Sequence, residues 1–317
     1  MISVEMLAVG FLQALALLFL APLFSGLARV LRAKMHSRRG PGLLQNYRDL
    51  AKLMKRQEVI SEQSGWIFRL TPYVMIASML LVAALLPVFT VQSPYGWAGD
   101  LILVIYLYAL SRMFCSLSGL DTGSTFGGIG ARREMLLSAL IEPVMLLVLI
   151  VMALLAGSTR LSDISAQVAS GQIPYYTSVW LGMLAFAFAS FVEMGKLPFD
   201  LGEAEQELQE GPLTEFSGPA LALMKWAIYL KQVVVAALFL GVFLPFGNVT
   251  GLLKGLPAVI AAAAALLLFV AKLALFCFVA ALVENAMARV RFLRVASLTW
   301  AALAAAILSF VFYLAHV

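Results

Sequence analysis

The chain has 317 residues, of which 62% are hydrophobic and only 12% are charged. Soluble domains carry about 25% charged residues, so a soluble fold could not bury this much apolar surface and the excess must face lipid. The formal net charge is +5, but the basic residues lie beside apolar runs without the aromatic interleaving of nucleic-acid-binding proteins. Composition therefore predicts an integral membrane protein and argues against a nucleic-acid partner.

Eight apolar stretches are each long enough to form a transmembrane helix, which needs about 20 mostly apolar residues. The first is too long for the apolar core of a signal peptide and has no basic leader, so we interpret it as a retained span. We predict an all-α polytopic fold, one membrane domain over 1–317, with about eight spans near 5–31, 70–91, 100–119, 135–157, 176–195, 218–245, 256–283 and 296–316.

Lysine and arginine are divided unequally between the two sets of loops. The loops after the first, third, fifth and seventh spans, with their flanks, hold 17 of these residues, whereas the opposite loops hold only Arg160 and Lys254. Because short cytoplasmic loops are enriched in Lys and Arg, the first set is predicted to be cytoplasmic. Both termini would then be periplasmic, which agrees with an even number of spans.

The first basic loop, 34–66, contains a predicted amphipathic helix within Gly42–Arg56. At 100° per residue its apolar arc comprises Leu43, Leu44, Tyr47, Leu50, Ala51 and Met54. The opposite arc comprises Arg48, Asp49, Lys52, Lys55 and Arg56. Such a helix suits the membrane interface. It is either a basic anchor alone or a docking surface that is also an anchor.

The second notable loop, 196–217, is acidic although it lies on the basic side. Between Leu197 and Ser217 it has no Lys or Arg and six carboxylates, namely Asp200, Glu203, Glu205, Glu207, Glu210 and Glu215. Asp200 with Glu203 resembles a capping box, and Gly211-Pro212 ends the segment, so a short helix is predicted near 201–210. Clustered carboxylates raise one another's pKa values. The loop is therefore either a docking patch for a basic partner or the mouth of a proton or cation path.

Ionisable residues inside the predicted spans cost about 2.5–3.5 kcal/mol each to insert, so each is a candidate for function. A buried carboxylate suits a proton relay, and Lys231 and Lys272 are the deepest cations. The alternative, first for Lys225 and Glu193 and then for Glu142 and Lys272, is a side chain that reaches the interface. The set comprises Glu142, Glu193, Lys225, Lys231 and Lys272.

Sequence patterns for bound cofactors are weak. Cys115 and Cys277 lie apart in apolar stretches, and the two histidines are far apart in the chain. We therefore expect no metal, flavin or cluster site in this chain. The glycine-rich segment Gly123–Gly130 lacks the G-K-[ST] ending of a phosphate-binding loop, and we interpret it as a flexible loop.

Three segments resemble motifs of the membrane subunit of respiratory complex I that borders the quinone cavity. The first is R-R-G-P-G-L-L-Q-N-Y-R-D-L-A-K-L at 38–53, and the second is G-A-R-R-E-M-L-L-S-A-L-I-E at 130–142. The third and most specific is P-F-D-L-G-E-A-E-Q-E-L-Q-E-G-P-L-T-E-F-S-G at 198–218. In that family the matching positions surround the quinone cavity and its link to the proton-carrying axis. Here they are Arg133, Glu142, Asp200, Glu203, Glu205, Glu207 and Glu215.

Within the family, the 193–201 and 203–215 segments are most similar to the hydrogenase branch, the membrane subunit of formate hydrogenlyase and of its hydrogenase-4 relative. The resemblance implies a bacterial inner-membrane subunit that is not catalytic on its own. Its partners would be hydrogenase large and small subunits with a nickel–iron centre, iron–sulfur subunits with their clusters, formate dehydrogenase and antiporter-like membrane subunits.

Combined with the in-span charges, the resemblance gives two sets of predicted site residues. A proton path or coupling route would use Glu142, Glu193, Asp200, Glu203, Glu205, Glu207, Glu215, Lys231 and Lys272, and partner docking would use Arg38, Arg39, Arg133 and Glu210. Three departures from the complex I pattern weigh against quinone binding. They are Lys196 in place of Arg, Leu140-Ile141 before Glu142, and Phe216 in place of Tyr.

Four functions remain open at this point. The leading hypothesis is a coupling and anchoring subunit of a hydrogenase complex. The others are a passive anchor with vestigial carboxylates, a quinone-site subunit, and a free-standing transporter, against which the absence of a visible internal repeat argues.

Overall fold

The computed structural model describes residues 4–89, 93, 95–202, 204–246, 258–290 and 292–315. Its helices in chain order are α1 (Val4–Met35), α2 (Gln45–Met54), α3 (Trp66–Leu85), α4 (Leu101–Asp121), α5 (Thr125–Ala156), α6 (Leu161–Ala169), α7 (Thr177–Glu193), α8 (Glu205–Leu208), a 3-10 helix (Gly211–Leu213), α9 (Gly218–Phe243), α10 (Ala258–Ala286) and α11 (Phe292–Leu314). No β-strand occurs in the described residues, and the predicted all-α class is confirmed.

Seven of the described helices are long and apolar enough to cross a membrane: α1, α3, α4, α5, α9, α10 and α11. The remaining predicted span corresponds to α7, which is apolar but has 17 residues. At 1.5 Å per residue α7 is about 26 Å long, a little less than the roughly 30 Å hydrocarbon layer. The prediction of a polytopic membrane protein is confirmed.

Helix α9 forms the centre of the bundle and packs against α1, α2, α3, α6, α7 and α10. It is the most enclosed of the seven spanning helices, whereas α10 and α11 are mostly exposed along their length. Polar residues on α9 are therefore held inside protein rather than in lipid, where they would be costly.

The glycine-rich segment at the start of α5 is helical, so its interpretation as a flexible loop was wrong. Ser124 caps α5 by accepting a hydrogen bond from the backbone N–H of Gly127. A Cβ atom on Gly119 of α4 would lie 2.7 Å from the carbonyl oxygen of Gly127. The glycines thus let the backbones of α4 and α5 approach each other closely, which positions both helices for the site described below.

The predicted amphipathic helix is confirmed as α2, somewhat shorter than the Gly42–Arg56 segment. It docks on α1 where Asn46 donates a hydrogen bond of 3.0 Å to the carbonyl of Pro22. Leu50 is buried, whereas Leu43, Leu44 and Met54 leave much of their apolar surface exposed. One side of α2 therefore packs on protein, and apolar side chains remain available at the membrane interface.

Candidate functional site

Four charged side chains from four spanning or near-spanning helices meet in the interior. Arg112 of α4 bonds to both Glu134 of α5, with Nη2–Oε1 of 3.0 Å, and Glu193 of α7 through Nη1. Lys231 of α9 lies on the other side of Glu193, with Nζ–Oε1 of 3.0 Å. We call this series of ion pairs, Glu134–Arg112–Glu193–Lys231, the buried ion network.

Three members of the buried ion network are almost closed to solvent, and the fourth, Glu134, is 22% exposed. The side chains of Arg112 and Glu193 are 4% and 2% exposed, and that of Lys231 is 12% exposed. Two cations offset two carboxylates, which is the condition for holding charges in a low-dielectric interior. Glu193 is therefore not a side chain that reaches the interface, and the alternative raised for it from sequence is wrong.

Several hydroxyl groups surround this network. Tyr108, Ser111 and Ser190 are buried, and their hydroxyls have no protein hydrogen-bond partner among the described residues. A cavity of about 60 Å³ is lined by Ser111 together with Arg112, Glu134, Glu193 and Lys231. Buried polar groups of this kind are usually satisfied by water, and this volume has room for it. The site can therefore be hydrated next to its carboxylates.

Glu142 continues the polar route along α5. It lies two turns beyond Glu134, is half-buried, and is close enough to interact electrostatically with Arg112. Ser138 lies between Glu134 and Glu142, and its hydroxyl is also buried without a partner among the described atoms. The predicted residues Glu142, Glu193 and Lys231 thus belong to one region of the protein.

A second, larger cavity of about 660 Å³ opens near the acidic loop. It shares five lining residues with the small cavity, namely Gly195, Asp200, Leu213, Ile228 and Gln232. Gln232 is adjacent to Lys231 on α9 and donates a hydrogen bond of 3.2 Å to the carbonyl of Met194. The two cavities therefore adjoin along residues that include Gln232.

The acidic loop does not form the predicted helix over 201–210. Only Glu205–Leu208 is α-helical, because Gln209 takes a positive φ of 57° and breaks the helix. A short 3-10 helix at Gly211–Leu213 follows. Glu207 and Glu210 do not lie on a common helical face, and each carboxylate pairs with a cation on a different helix.

Three carboxylates of the acidic loop form ion pairs with cations from separate segments of the chain. Their pairs are Glu207 with Arg133 of α5 at 2.6 Å, Glu210 with Lys225 of α9 at 3.2 Å, and Asp200 with Arg289 after α10, Nε–Oδ1 3.1 Å. Lys196 at the start of the loop faces Glu284 of α10 at 3.6 Å. The loop is therefore a set of ion pairs that connects α5, α9 and α10, rather than a cluster of repelling carboxylates.

A glycine brings the acidic loop against α5. A Cβ atom on Gly130 would lie 2.7 Å from the carbonyl oxygen of Gly202 and 2.9 Å from Cα of Gly211. Gly202 in turn lies against Glu134, whose Oε2 would be 2.9 Å from a Cβ at that position. The backbone of the loop is thus in direct contact with a member of the buried ion network.

Other predicted residues lie elsewhere or outside the described part of the chain. Lys272 is apart from the network and donates hydrogen bonds to the backbone carbonyls of Leu244, at 2.8 Å, and Phe246. Glu215 is half-buried, and Arg38 and Arg39 are exposed after α1. Glu203 and the side chain of Glu205 lie outside the described residues.

Sequence reasoning missed two of the four network residues, Arg112 and Glu134. In the sequence we counted Arg112 among the 17 Lys and Arg residues of the basic loops and their flanks, although it falls within the predicted span 100–119. A cation inside a span is itself the signal that should have marked it. Glu134 gives no separate signal, because it precedes the predicted start of its span at 135. No group of three or more His, Cys, Asp or Glu side chains in the described structure is placed to hold a metal ion.

Comparisons with known proteins agree with this fold. The family model described as NADH dehydrogenase matches residues 7–315. Hydrogenase-4 component C of Escherichia coli K12 is 52% identical over 302 residues, which cover 95% of this chain and 94% of that protein. Formate hydrogenlyase subunit 4 of the same organism is 51% identical, covering 96% and 97% of the two chains.

More distant relatives are named as subunits of NADH-quinone oxidoreductase. NADH-quinone oxidoreductase subunit 8 of Thermus thermophilus is 32% identical over 254 residues, covering 75% of this chain and 67% of that protein. Among solved structures, a chain of the archaeal membrane-bound sulfane sulfur reductase matches with a TM-score of 0.84 and 21% identity, covering 98% of this chain and all of that one. The fold is therefore that of membrane subunits from respiratory complexes.

Proposed function

The chain belongs to the NADH dehydrogenase family, and we propose that it is the membrane-anchoring and energy-coupling subunit of a formate hydrogenlyase-type hydrogenase complex. The observation that carries the proposal is the buried ion network of Arg112, Glu134, Glu193 and Lys231. A purely structural span has no need of four such charges, which are costly to bury.

The acidic loop is the segment through which a redox step in a partner subunit acts on this network. Its carboxylates are tied to α5, α9 and the segment after α10 by the pairs with Arg133, Lys225 and Arg289. A redox step in a partner that moves the loop changes these pairs, and it also displaces Gly202 against Glu134. The loop thus transmits a charge or conformational signal to the interior, and protons move along the hydrated polar route toward Glu142.

The partners occupy the basic side, which on this proposal is cytoplasmic, with both termini in the periplasm of a bacterial inner membrane. Arg38 and Arg39 are exposed on this side and, with Arg133 and Glu210, offer a docking surface. Hydrogenase large and small subunits, iron–sulfur subunits and formate dehydrogenase dock there and hold the nickel–iron centre and the clusters. Antiporter-like subunits lie beside the chain in the membrane.

The test uses the intact complex in inverted membrane vesicles. Hydrogen production from formate and proton movement, followed with a pH-sensitive dye, are measured for Glu142→Gln. The matched control is Glu62→Gln, which removes an exposed carboxylate from the loop between α2 and α3. We expect Glu142→Gln to lower the proton movement per hydrogen formed at least severalfold and the control to leave it unchanged. If both quantities match the unmodified complex, the chain is a passive anchor.

A quinone-site subunit is the second candidate, and the cavity of about 660 Å³ favours it because small-molecule sites have volumes of about 300–1,000 Å³. Eight of its 20 lining residues are charged, among them Asp200, Lys196 and Glu284, whereas quinone rings bind in mostly apolar pockets. Inhibition of hydrogen production by quinone analogues, with competition by added quinone, would favour this candidate over the coupling subunit.

A further inference from the structure

The end of α1 carries a wall of basic side chains that the proposed coupling route does not use. Arg29, Arg32 and His36 are spaced by three and four residues, so they lie on one side of the helix. They line the large cavity on one side. The same three residues, with Ala33, Arg38 and Pro41, line a separate groove of about 410 Å³.

The charges around this wall are unbalanced. The lining of the large cavity contains five Lys or Arg side chains and three carboxylates. All three carboxylates pair with other cations of the same lining, Asp200 with Arg289, Glu210 with Lys225, and Glu284 with Lys196, which leaves Arg29 and Arg32. In the described part of the chain no carboxylate pairs with Arg29 or Arg32. The groove alone has three arginines and no acidic residue.

We infer that the groove at the end of α1 binds the phosphate headgroup of an anionic phospholipid, with Arg29 and Arg32 as its principal ligands. Guanidinium groups bind phosphate oxygens through paired hydrogen bonds. Arg38 lies in the wall of the same groove and adds to its positive charge, and His36 lies beside it as a further hydrogen-bonding side chain. The site is independent of the proposed coupling function.

Its place in the fold favours a lipid over a soluble anion. The groove lies at the end of a spanning helix, where basic residues meet the anionic headgroups of the membrane surface. It also precedes α2 directly along the chain, and Leu43 and Leu44, the residues just before α2, leave apolar surface exposed. An amphipathic helix of this kind lies in the interface with its apolar side toward the acyl chains. A headgroup in the groove would thus have its tails beside α2.

The experiment counts bound phosphatidylglycerol by native mass spectrometry on the intact complex released from nanodiscs of phosphatidylglycerol and phosphatidylcholine. The test variant is the double Arg29→Gln/Arg32→Gln. The control is Arg48→Gln/Lys52→Gln, which removes the same charge from exposed positions on α2. A third variant, Arg29→Lys/Arg32→Lys, keeps the charge and reports on folding.

We expect the unmodified complex to retain phosphatidylglycerol in preference to phosphatidylcholine, and the test variant to lose this preference by roughly 10-fold or more, as expected when charge-assisted hydrogen bonds to the phosphate are removed. The control should retain it, and the lysine variant, which keeps the charge but cannot form the paired hydrogen bonds, should lose less of it than the test variant. An equal loss in the test and control variants would show general surface attraction and overturn the site. Retention by the test variant would overturn it as well. So would displacement of all bound phosphatidylglycerol by inorganic phosphate at millimolar concentration, or a bound quinone in its place.

Discussion

Lys231 of α9 and Glu193 of α7 form an ion pair of 3.0 Å inside the bundle. This pair connects the most enclosed spanning helix to α7, which has 17 residues and is shorter than the seven spanning helices. Glu193 is the last residue of α7, and the acidic loop begins three residues later. The pair therefore fixes the point at which the loop leaves the membrane domain.

We predict that Glu193→Gln destabilises the complex strongly. The substitution leaves Arg112 and Lys231 with one carboxylate between them, and removing one member of a buried ion pair costs about 3–5 kcal/mol. The measurement is the midpoint of thermal unfolding of the purified complex. Glu207→Gln is the control, because Glu207 is 55% exposed, and its midpoint should be close to that of the unmodified complex. Equal midpoints for all three would mean that the network does not contribute to stability.

The pair of Arg133 with Glu207 should contribute little to stability. Its side chains are 21% and 55% exposed, and exposed ion pairs measure about 0.2–1 kcal/mol in double-mutant cycles. A cycle of Arg133→Gln, Glu207→Gln and the double variant, followed by denaturant unfolding, should give a coupling energy in that range. A coupling above about 2 kcal/mol would indicate that the pair is buried against a partner subunit in the assembled complex.

Gly130→Ala should displace the acidic loop. The added Cβ would lie 2.7 Å from the carbonyl oxygen of Gly202 and 2.8 Å from Cδ of Pro212, so backbone must shift. Gly128→Ala is a matched control on the same turn of α5, since nothing lies within 4 Å of a Cβ there. We expect Gly130→Ala to lower the amount of hydrogenase subunits that co-purify, and Gly128→Ala to leave it unchanged. Full co-purification with Gly130→Ala would show that docking does not depend on the position of this loop.

Lys272→Met should weaken the end of α9 without changing proton coupling. The ammonium group donates to the carbonyls of Leu244 and Phe246, and hydrogen bonds from charged groups contribute about 1.5–3 kcal/mol. The thermal midpoint should fall, and Lys272→Arg should restore part of it. Proton movement per hydrogen formed should stay constant in all variants. A specific loss of proton movement in Lys272→Met would instead support the sequence-based placement of Lys272 in the proton path.

Much of the fold was accessible from the sequence because apolar length and the distribution of charge are local properties. The long apolar runs predicted the spans, and the arc of Leu43, Leu50 and Met54 predicted α2. Glu142, Glu193 and Lys231 were found because charge inside an apolar run is costly wherever the helix ends up. The predicted start of α5 is late, at 135 instead of Thr125, because the glycines that allow close packing against α4 are typical of a loop when no neighbour is known.

The sequence by itself determined the membrane class, the family motifs and the list of charged residues that need partners. Only the tertiary structure decided which charges meet. The acidic loop appears in sequence as carboxylates without a cation from Leu197 to Ser217, yet Asp200, Glu207 and Glu210 all find cations on other segments. Arg112 and Glu193 are 81 residues apart in the chain. Such pairing depends on helix packing, because the energy that selects a partner for a buried charge comes from distances in space rather than along the chain.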